Sequence, residues 1–400
     1  MKFLVVGAWQ WSWYHQAFSQ ALISLGHEVG RFGWADLFFD GLDVEQGARP
    51  KNLWTRLQNR VIWGPLITDM NRRLVAEALA FQPDVFFAYN GTHVLPSTVD
   101  RIKRLRPQTL LAGYSNDNPF SESAAPLLWR HFIRAIPYYD VHFVYRHGNI
   151  EDIRRHGGGH AHLLRSYYVP ETDFRVELGP GDEAFRSDVL FAGHYEPDWR
   201  IDCLEEVARL GVNFKLFGGT WYLAERSLAT QSPLRPFLPV QPLVRADYRK
   251  AISGAKIALC FLSKVNGDTY TRRSFEIPAM QAFMLSEYTD DLASLFREGE
   301  EAEFFRSKEE LLDKIRYYLQ HDGKRRAVAE AGHRRLLRDG HDVVSRARDF
   351  VSVIEKSNEA NSNGTETARP RTISATAKQG VAFRTNAPEP DRNGHEHGGR

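Results

Sequence analysis

Cysteine is scarce in this sequence of 400 residues, which contains two, Cys203 and Cys260. Both lie inside apolar segments, which excludes a disulfide framework or a zinc site of closely spaced thiols. Long apolar runs are missing too. A helix that crosses a membrane needs about 18 consecutive apolar residues without charge, and the sequence contains no such stretch. The opening apolar run is too short for a signal peptide. We therefore expect a cytoplasmic protein whose membrane contact is at most peripheral.

An excess of one charge is also missing. Lys and Arg number 52 against 50 Asp and Glu, so the formal net charge is +2. This balance provides no global field that would attract nucleic acid, and any phosphate binding must be local. Hydrophobic residues make up 42% and charged residues 26% of the chain, as in globular proteins. We expect a folded protein with no nucleic-acid partner.

Two ligand-binding motifs are absent. The first apolar run is not followed by the G-x-G-x-x-G pattern of dinucleotide-binding proteins. No Asp-x-Asp pair is available to hold a divalent metal. The histidines of RRHGGGHAH, residues 154–162, predict a flexible loop, because no carboxylate or thiolate is spaced with them as zinc sites require. The sequence predicts neither a metal site nor a cofactor.

Short apolar runs alternate with amphipathic stretches throughout, a pattern typical of parallel β-α-β units. Strands are predicted at 3–7, 85–89, 109–114, 141–145, 188–193, 214–217, 257–262 and 284–288. Helices are predicted at 14–25, 198–210, from about 272, and at 308–319, 324–338 and 342–356. Asp198 is the expected N-cap of one helix, and Ser307 with Glu310 is the capping box of another. The predicted fold class is α/β.

A change of composition divides the chain. Residues 167–180 are rich in proline, glycine and acids, as expected for a connection between domains. This predicts an N-terminal domain over 1–170 and a C-terminal domain over 171–356. Residues 357–400 contain few large apolar side chains, so folding could not offset their ordering entropy. We predict a disordered tail there.

The segment Leu259–Glu287 is the most informative for chemistry. A buried strand leads through a polar loop into a helix, whose first N–H groups and dipole favour a phosphate. Arg272 and Arg273 add positive charge at that point. Asp268 and Glu276 supply carboxylates that accept hydrogen bonds from the vicinal hydroxyls of sugars. The alternative interpretation is that these acids are ordinary surface residues.

Aromatic residues crowd the segment after the first strand, where Trp9, Trp11, Trp13 and Tyr14 precede His15. Sugar rings stack their apolar faces on aromatic side chains, so this cluster is a candidate acceptor wall. The alternative is plain core packing, because aromatic side chains bury large areas.

Polar residues beyond other predicted strands are candidates for polarising an acceptor hydroxyl, because ligands collect at the carboxyl ends of parallel strands. The best placed are Asp117, His93 and His147. A turn-capping aspartate or a hydrogen-bonded loop histidine is the alternative for each.

Five motifs carry a family resemblance: DVLFAGHYEPDWR, FEIPAMQAFML, LFREGEEAEFF, KEELLDKIRYYLQH and AVAEAGHRRLL. In this order, residues 188 to about 350 resemble the C-terminal domain of CgeB-like glycosyltransferases, relatives of the retaining GT-B families with a Glu-x7-Glu donor motif. KFLVVG, LGHEV and SNDNP carry a looser resemblance in the N-terminal half. The resemblance implies a GT-B architecture of two Rossmann-like domains facing across a cleft, with the last helix returning to the first domain.

Carried over residue by residue, the resemblance implies that Glu276 binds the nucleotide ribose. Asp268 stands where the first Glu of the motif would contact the transferred sugar, one carbon shorter. Gly193 follows the first strand of the domain, where the backbone would approach the diphosphate, with Arg200 and Lys264 as phosphate partners. The block after the helix contains Met280-Gln281-Ala282 where the family usually has small residues, which implies a differently shaped pocket.

The predicted function is transfer of a sugar from a nucleotide-diphosphate donor to a hydroxyl acceptor, with retention of configuration and without a metal. The acceptor is a glycan, a lipid-linked group, a protein or a small molecule. The candidate catalytic residues are Asp117, Asp268 and His147. The donor-binding candidates are Gly193, Arg200, Lys264, Arg272, Arg273 and Glu276, and the acceptor-binding candidates are Trp11, Trp13, His15 and His93. The alternatives are a sugar-nucleotide epimerase and a non-catalytic nucleotide- or glycan-binding protein on the same fold.

Overall fold

The computed structural model of the protein describes residues 1–40, 49–243 and 245–362. The strands in these ranges are β1 Lys2–Gly7, β2 Glu28–Gly33, β3 Phe39–Asp40, β4 Arg49–Pro50, β5 Val85–Tyr89, β6 Leu110–Ser115, β7 Val141–Val144, β8 His160–Leu163, β9 Ser187–Ala192, β10 Phe214–Phe217, β11 Ala255–Cys260, β12 Met284–Glu287 and β13 Glu303–Phe305. The helices are α1 Ala17–Ser24, α2 Ala35–Phe38, α3 Leu53–Val61, α4 Pro65–Phe81, α5 Pro96–Leu105, α6 Pro126–Ala135, α7 Gly148–Arg155, α8 Arg200–Arg209, α9 Ala224–Ser227, α10 Arg245–Gly254, α11 Arg273–Ala279, α12 Asp290–Leu295, α13 Lys308–Gln320, α14 Asp322–Arg338 and α15 Val343–Ser362.

The first half of the chain builds a parallel sheet in the order β2-β1-β5-β6-β7-β8. Side chains alternate between its two faces, as the pleat requires. Phe3 and Val5 pack on one face, and Leu4 and Val6 on the other, all fully buried. Burial on both faces explains why inner strands such as β1 and β5 read as continuous apolar runs.

The second half builds another parallel sheet, in the order β10-β9-β11-β12-β13. Both sheets belong to one compact unit, Met1–Asn358. Strand order reverses between β1 and β5 in the first sheet and between β9 and β11 in the second. Open α/β sheets bind ligands in the crevice that such a reversal leaves at the carboxyl ends of the strands. The predicted division into domains at residue 170 stays a prediction.

The last helix, α15, packs on the first sheet. The Phe350 ring lies 4.6 Å from that of Phe87 and 4.5 Å from that of Phe143, centroid to centroid. Phe3 and Phe18 complete the cluster around it, at 6.0 and 5.4 Å. The chain thus returns from the second half to the first, as expected, and this contact buries the aromatic face of α15.

The predicted strands agree with the structure to within two residues, and two predictions need correction. Residues 160–163, expected in a flexible loop, form β8, because His160–Leu163 pair in parallel register with Val141–Val144. The helix ending near Lys356 continues to Ser362. The remainder of the predicted tail, residues 363–400, lies outside the described residues.

The predicted caps form in part. The Ser307 side chain accepts a hydrogen bond from the N–H of Glu310, at 3.2 Å. The Glu310 carboxylate accepts a hydrogen bond at 2.7 Å from the N–H of Arg306, which lies one residue before the cap. Asp198 accepts from the N–H of Arg200, the first residue of α8, at 3.0 Å. Each bond satisfies an N–H group that would otherwise lack a partner at a helix start.

Among the described residues, no helix is both long and apolar enough to cross a bilayer.

Candidate functional site

A cavity of about 1630 Å³ lies where the carboxyl ends of the two sheets face each other. Residues after β1, β5 and β6 form one side of it, which we call the N-terminal wall. Residues after β9, β10 and β11, together with α11, form the other side, the C-terminal wall. The predicted site residues that line it are Trp11, Trp13, His15, His93, Asp117, Gly193, Arg200, Asp268, Arg272, Arg273 and Glu276. The fold therefore brings together most of the predicted residues from both halves.

Glu276 lies on α11 with its carboxylate at the cavity and is 8% exposed. One carboxylate oxygen accepts a hydrogen bond from the Tyr248 hydroxyl at 2.9 Å. The other pairs with the Arg272 Nε at 2.6 Å. Burial raises the pKa of the Glu276 carboxyl, and the Arg272 guanidinium opposes that rise. These two partners fix the orientation of the carboxylate.

Arg272 joins three parts of the chain. Besides Glu276, its guanidinium pairs with Asp173 in the connecting segment at 3.0 Å and donates to the Trp13 carbonyl at 3.3 Å. Burial opposes the charge on Arg272, but the Glu276 and Asp173 carboxylates raise its pKa overall. The residue holds the C-terminal wall against the N-terminal wall.

Like that of Arg272, the Nε of Arg273 is buried with no hydrogen-bond partner, and the two residues differ in their ion pairs. Among the described residues, the Arg273 guanidinium makes no ion pair. It lies against Gly193, where an added Cβ would stand 3.4 Å from the Arg273 Cζ and 2.6 Å from the Phe191 ring. A side chain at position 193 would crowd this corner of the cavity. The corner combines a guanidinium that forms no ion pair within the described residues with close access to the backbone.

The start of α11 does not offer the free amides that the sequence predicted. The N–H of Arg273 donates to the Thr271 hydroxyl at 3.1 Å, and the N–H of Ser274 to the Thr271 carbonyl at 3.1 Å. The N–H of Phe275 bonds the Arg272 carbonyl at 2.9 Å. The local turn satisfies these donors. Positive charge on this wall therefore comes from guanidinium groups.

Two other predicted cations are already engaged. Arg200 is 1% exposed and donates to both oxygens of Asp198, at 2.8 and 3.0 Å, and to the Leu262 carbonyl at 2.9 Å. Lys264 pairs with Glu287 and lies outside the cavity lining. Both side chains tie the loops after β9 and β11 to the sheet. Their roles in phosphate binding stay predictions.

Asp268 faces the cavity from the loop after β11 and is held by the opposite wall. Its Oδ1 accepts a hydrogen bond from the Arg146 Nε at 2.8 Å. Arg146 also donates to the Asn116 carbonyl at 3.0 Å. Burial raises the pKa of the Asp268 carboxyl, and Arg146 opposes the rise. This pair links the walls across the cavity.

Asp117 and His147 occupy different environments. Asp117 is exposed and lines the cavity, and desolvation by the surrounding protein raises the pKa of its carboxyl. His147 lies outside the cavity lining, where its Nε2 is 3.9 Å from an Asp291 oxygen. Asp117 thus has access to a bound ligand. A catalytic role for His147 has no support from this geometry and stays a prediction.

The aromatic segment after β1 divides between surface and interior. The rings of Trp11 and Trp13 lie 5.1 Å apart at the cavity, and Trp11 is 37% exposed. His15 is buried, with its Nε2 3.4 Å from the Tyr89 carbonyl and its Nδ1 without a partner. Burial lowers the pKa of His15 to about 4. Trp11 and Trp13 are therefore available to a ligand, while His15 stays neutral.

His93 touches the cavity, but most of its ring contacts are structural. The ring stacks on Trp34 at 5.4 Å, and its Nε2 bonds the Asn59 side chain at 2.8 Å. Burial lowers the pKa of His93 to about 3. The ring stays neutral at physiological pH, and its predicted acceptor-binding role remains open.

The comparisons with known proteins bear on this arrangement. Residues 200–352 match the family model described as glycosyl transferase-like. Over 90% of this chain and 100% of that chain, the structure superposes on sucrose-phosphate synthase (tll1590) from Thermosynechococcus elongatus, with 12% identity and a TM-score of 0.64. Anabaena Alr3699/HepE in complex with UDP-glucose gives 11% identity and a TM-score of 0.62, over 89% and 100% of the two chains. Comparison with curated proteins gave no sequence match.

The fold is GT-B. A putative UDP-N-acetylglucosamine 2-epimerase from Listeria monocytogenes also shares it, with 13% identity, a TM-score of 0.51 and 92% and 98% of the two chains covered. At such identities the likeness establishes the fold alone. The glycosyl transferase-like domain lies in the half that carries Glu276, and with the fold it confirms the predicted class of enzyme, a glycosyltransferase. The CgeB-like subfamily stays a prediction.

Sequence reasoning missed three residues of the site: Asp173, Arg146 and Tyr248. Each contacts a predicted residue from a distant part of the chain, so no local pattern marked them. The acidic composition of the connecting segment is apparent in the sequence, but the pairing of Asp173 with Arg272 is not. Within the ranges that the structure covers, no group of three or more His, Cys, Asp or Glu could hold a metal ion.

Proposed function

We propose that the protein transfers a sugar from a nucleoside diphosphate donor to a hydroxyl group of an acceptor, and that the C-terminal wall binds the donor. The observation that carries the proposal is the arrangement on α11. A buried, oriented carboxylate, Glu276, lies within one helical turn of the Arg273 guanidinium, which forms no ion pair within the described residues and whose Nε has no hydrogen-bond partner. A sugar nucleotide presents hydroxyls and a diphosphate, the two groups that these side chains bind. HepE, which shares the fold, binds UDP-glucose, which supports a donor of this kind.

Glu276 is proposed to accept hydrogen bonds from the ribose hydroxyls. Each of its oxygens has one protein partner, Tyr248 or Arg272. A carboxylate has about four acceptor sites, so two remain for a ligand. The protein partners hold the carboxylate in place before the ligand arrives, which lowers the entropic cost of binding.

Arg273 is proposed to stabilise the leaving group. When the bond between the anomeric carbon and the phosphate oxygen breaks, the diphosphate gains negative charge. A cation already in place in a recessed site stabilises that charge more strongly than water does. Gly193 lets the diphosphate approach the backbone beside Arg273. In this proposal guanidinium charge supplies the stabilisation without a metal, while Arg200 positions the loop.

The acceptor is proposed to bind along the N-terminal wall. Trp11 and Trp13 offer ring faces, and Asp117 offers a carboxylate inside the recess. The acceptor oxygen forms the new bond to the anomeric carbon while its proton moves toward Asp117. A raised pKa suits this role, because the carboxylate then has a higher proton affinity. Asp268, held by Arg146, is proposed to contact the transferred sugar. Retention of configuration rests on the resemblance to CgeB-like enzymes, and a cytoplasmic location rests on the two free thiols.

Nucleotide binding tests the donor site directly. A thermal-shift screen with UDP, GDP, ADP, CDP and TDP should find one nucleotide that raises the melting temperature. Arg273→Met should weaken its binding by about tenfold to a hundredfold, because a charged hydrogen bond contributes about 1.5–3 kcal/mol. Glu276→Gln should also weaken it. The exposed Arg226→Met and Glu330→Gln are matched controls from the same half and should bind normally.

Turnover tests the reaction. The purified protein should release the nucleoside diphosphate from its sugar donor in the presence of an acceptor. Nucleotide binding without release across a broad acceptor panel would contradict the transferase assignment. A change in sugar configuration without any acceptor would indicate an epimerase. Unchanged nucleotide affinity in both Arg273→Met and Glu276→Gln would overturn the site itself.

A further inference from the structure

Six large apolar side chains are exposed together on the N-terminal half, and five of them lie outside the cavity lining. They are Leu53, Trp54, Leu57, Trp63, Leu127 and Leu128, which are 80%, 59%, 50%, 72%, 51% and 39% exposed. We call this set the apolar patch. The outer face of a surface helix is normally polar, and contiguous exposed apolar side chains mark interaction sites.

The patch belongs to one rigid surface. Arg130 on α6 donates to the carbonyls of Val61 and Ile62, which end α3, at 2.6 and 2.8 Å. Leu127 precedes Arg130 by three residues, so the two share a face of α6. These contacts hold the start of α6 beside α3. The exposed leucines and tryptophans therefore keep a fixed arrangement.

Other residues fix α3, so the fold does not need the patch. The Asn52 side chain accepts a hydrogen bond from the N–H of Thr55 at 2.8 Å, and the Thr55 hydroxyl accepts one from the N–H of Asn52 at 3.1 Å. Gln58, buried under the helix, accepts from the N–H of Leu66 at 2.9 Å. Thr55 and Gln58 thus form the inner face of the helix. Its outer leucines and tryptophan remain available to a partner.

Basic side chains flank the part of the apolar patch that lies on α3. Lys51, Arg56 and Arg60 are exposed, and the chain contains no Asp or Glu from Gln46 to Thr68. Leu53, Arg56, Leu57 and Arg60 follow the i, i+3, i+4, i+7 spacing, so they share one face of α3. Within the described residues, Arg56 and Arg60 form no ion pair. This combination of apolar and uncompensated basic side chains complements an apolar layer under a negatively charged surface.

We propose that the apolar patch docks this protein on a bilayer surface that contains anionic phospholipid. Leucine and tryptophan side chains enter the boundary between headgroups and acyl chains, where tryptophan is favoured, and the basic residues pair with phosphate groups. Leu128 belongs both to the patch and to the cavity lining, and Asn59 on α3 also lines the cavity. The docked surface therefore borders the N-terminal wall. If the proposed function holds, the site opens beside the bilayer, which suits a membrane-borne acceptor.

Vesicle flotation tests the docking. The full chain should float with phosphatidylcholine vesicles that contain phosphatidylglycerol, and at least about tenfold less with pure phosphatidylcholine, because basic residues near an anionic surface favour binding. Raising the salt concentration should reduce the bound fraction. Trp54→Ser combined with Leu57→Ser should lower vesicle binding at least about tenfold. The matched control, Tyr222→Ser with Leu223→Ser, removes exposed apolar side chains from the other half and should bind vesicles normally.

Two outcomes would overturn the proposal: no binding to anionic vesicles, or equal binding by the patch variant and the parent chain. Patch-dependent dimers in light scattering without vesicle binding would instead identify a second copy as the occupant. The nucleotide-dependent thermal shift of the patch variant serves as the folding control. That control also separates failure of the docking from failure of the proposed function, because α11 is untouched by these substitutions.

Discussion

The two walls of the cavity present different kinds of side chain. The N-terminal wall presents aromatic side chains, such as Trp11 and Trp13, and histidines that burial keeps neutral. The C-terminal wall presents the charged side chains of Arg272 and Glu276, which pair with each other, and of Arg273. Contact between an aromatic ring and the apolar face of a sugar costs little desolvation free energy, whereas a diphosphate requires fixed positive charge. This contrast assigns different ligands to the two walls. It also predicts that substitutions on the two walls affect different properties of the protein.

The largest effect is expected on the C-terminal wall. Arg272→Met leaves the Asp173 and Glu276 carboxylates buried without their cation. Breaking a buried ion pair by removing one partner destabilises a protein by about 3–5 kcal/mol. Denaturant unfolding should show this loss. Arg326→Met removes an exposed partner of Asp322 and should cost less than about 1 kcal/mol. Equal losses in the two variants would contradict the structural role of the network.

A smaller, pH-dependent effect is expected from the N-terminal wall. Burial lowers the pKa values of His15 and His93 from 6.5 to about 4 and about 3. Below pH 6.5 the unfolded chain binds protons that the folded chain does not. The contribution of each histidine to stability is therefore complete above pH 6.5 and declines as the pH falls toward the folded pKa.

The expected slope is about 1.4 kcal/mol per pH unit for each histidine within this window. Unfolding free energies measured at pH 7, 6 and 5 would give the slope. His93→Gln should reduce it by about that amount. The other buried histidines remain in both proteins and cancel in the difference. An identical slope in the variant would mean that His93 is protonated in the folded state.

The smallest effect is expected from Trp11→Ala. Loss of one ring face should weaken acceptor binding by up to about tenfold, since a stacked aromatic pair contributes about 0.5–1.5 kcal/mol. Nucleotide affinity should not change, because Trp11 lies on the other wall. Titration with nucleotide and with acceptor separates the two effects. A loss of nucleotide affinity instead would show that the walls do not divide the ligands between them.

Local patterns predicted the elements well because buried parallel strands have a local signature. Val85–Tyr89 has the predicted bounds, since apolar side chains occupy both faces of the strand. Phe214–Phe217 also has the predicted bounds, with its buried residues alternating along the strand. β8 escaped prediction because histidine alternates with apolar residues over His160–Leu163, which become a strand only by pairing with β7. Edge strands of this kind depend on a neighbour more than on their own composition.

Local sequence patterns predicted residues of each wall separately, but not the contacts that join them to remote segments. Glu276, Arg272 and Arg273 lie in one segment, and their charge pattern is visible there. Their partners are remote: Asp173 precedes Arg272 by 99 residues, and Arg146 precedes Asp268 by 122. The same limit applies to Arg200 and Lys264, whose charges were visible while their pairing with acids was not.

The sequence by itself determined the alternation of strands and helices, the absence of long apolar spans and the positions of charged and aromatic clusters, because each depends on neighbouring residues. Only the tertiary structure decided which charges compensate one another and which face the cavity. It left the Arg273 guanidinium without an ion pair among the described residues, engaged Arg200 and Arg272, and exposed the apolar side of α3. Compensation and exposure depend on distances of a few ångströms between segments that the chain order separates.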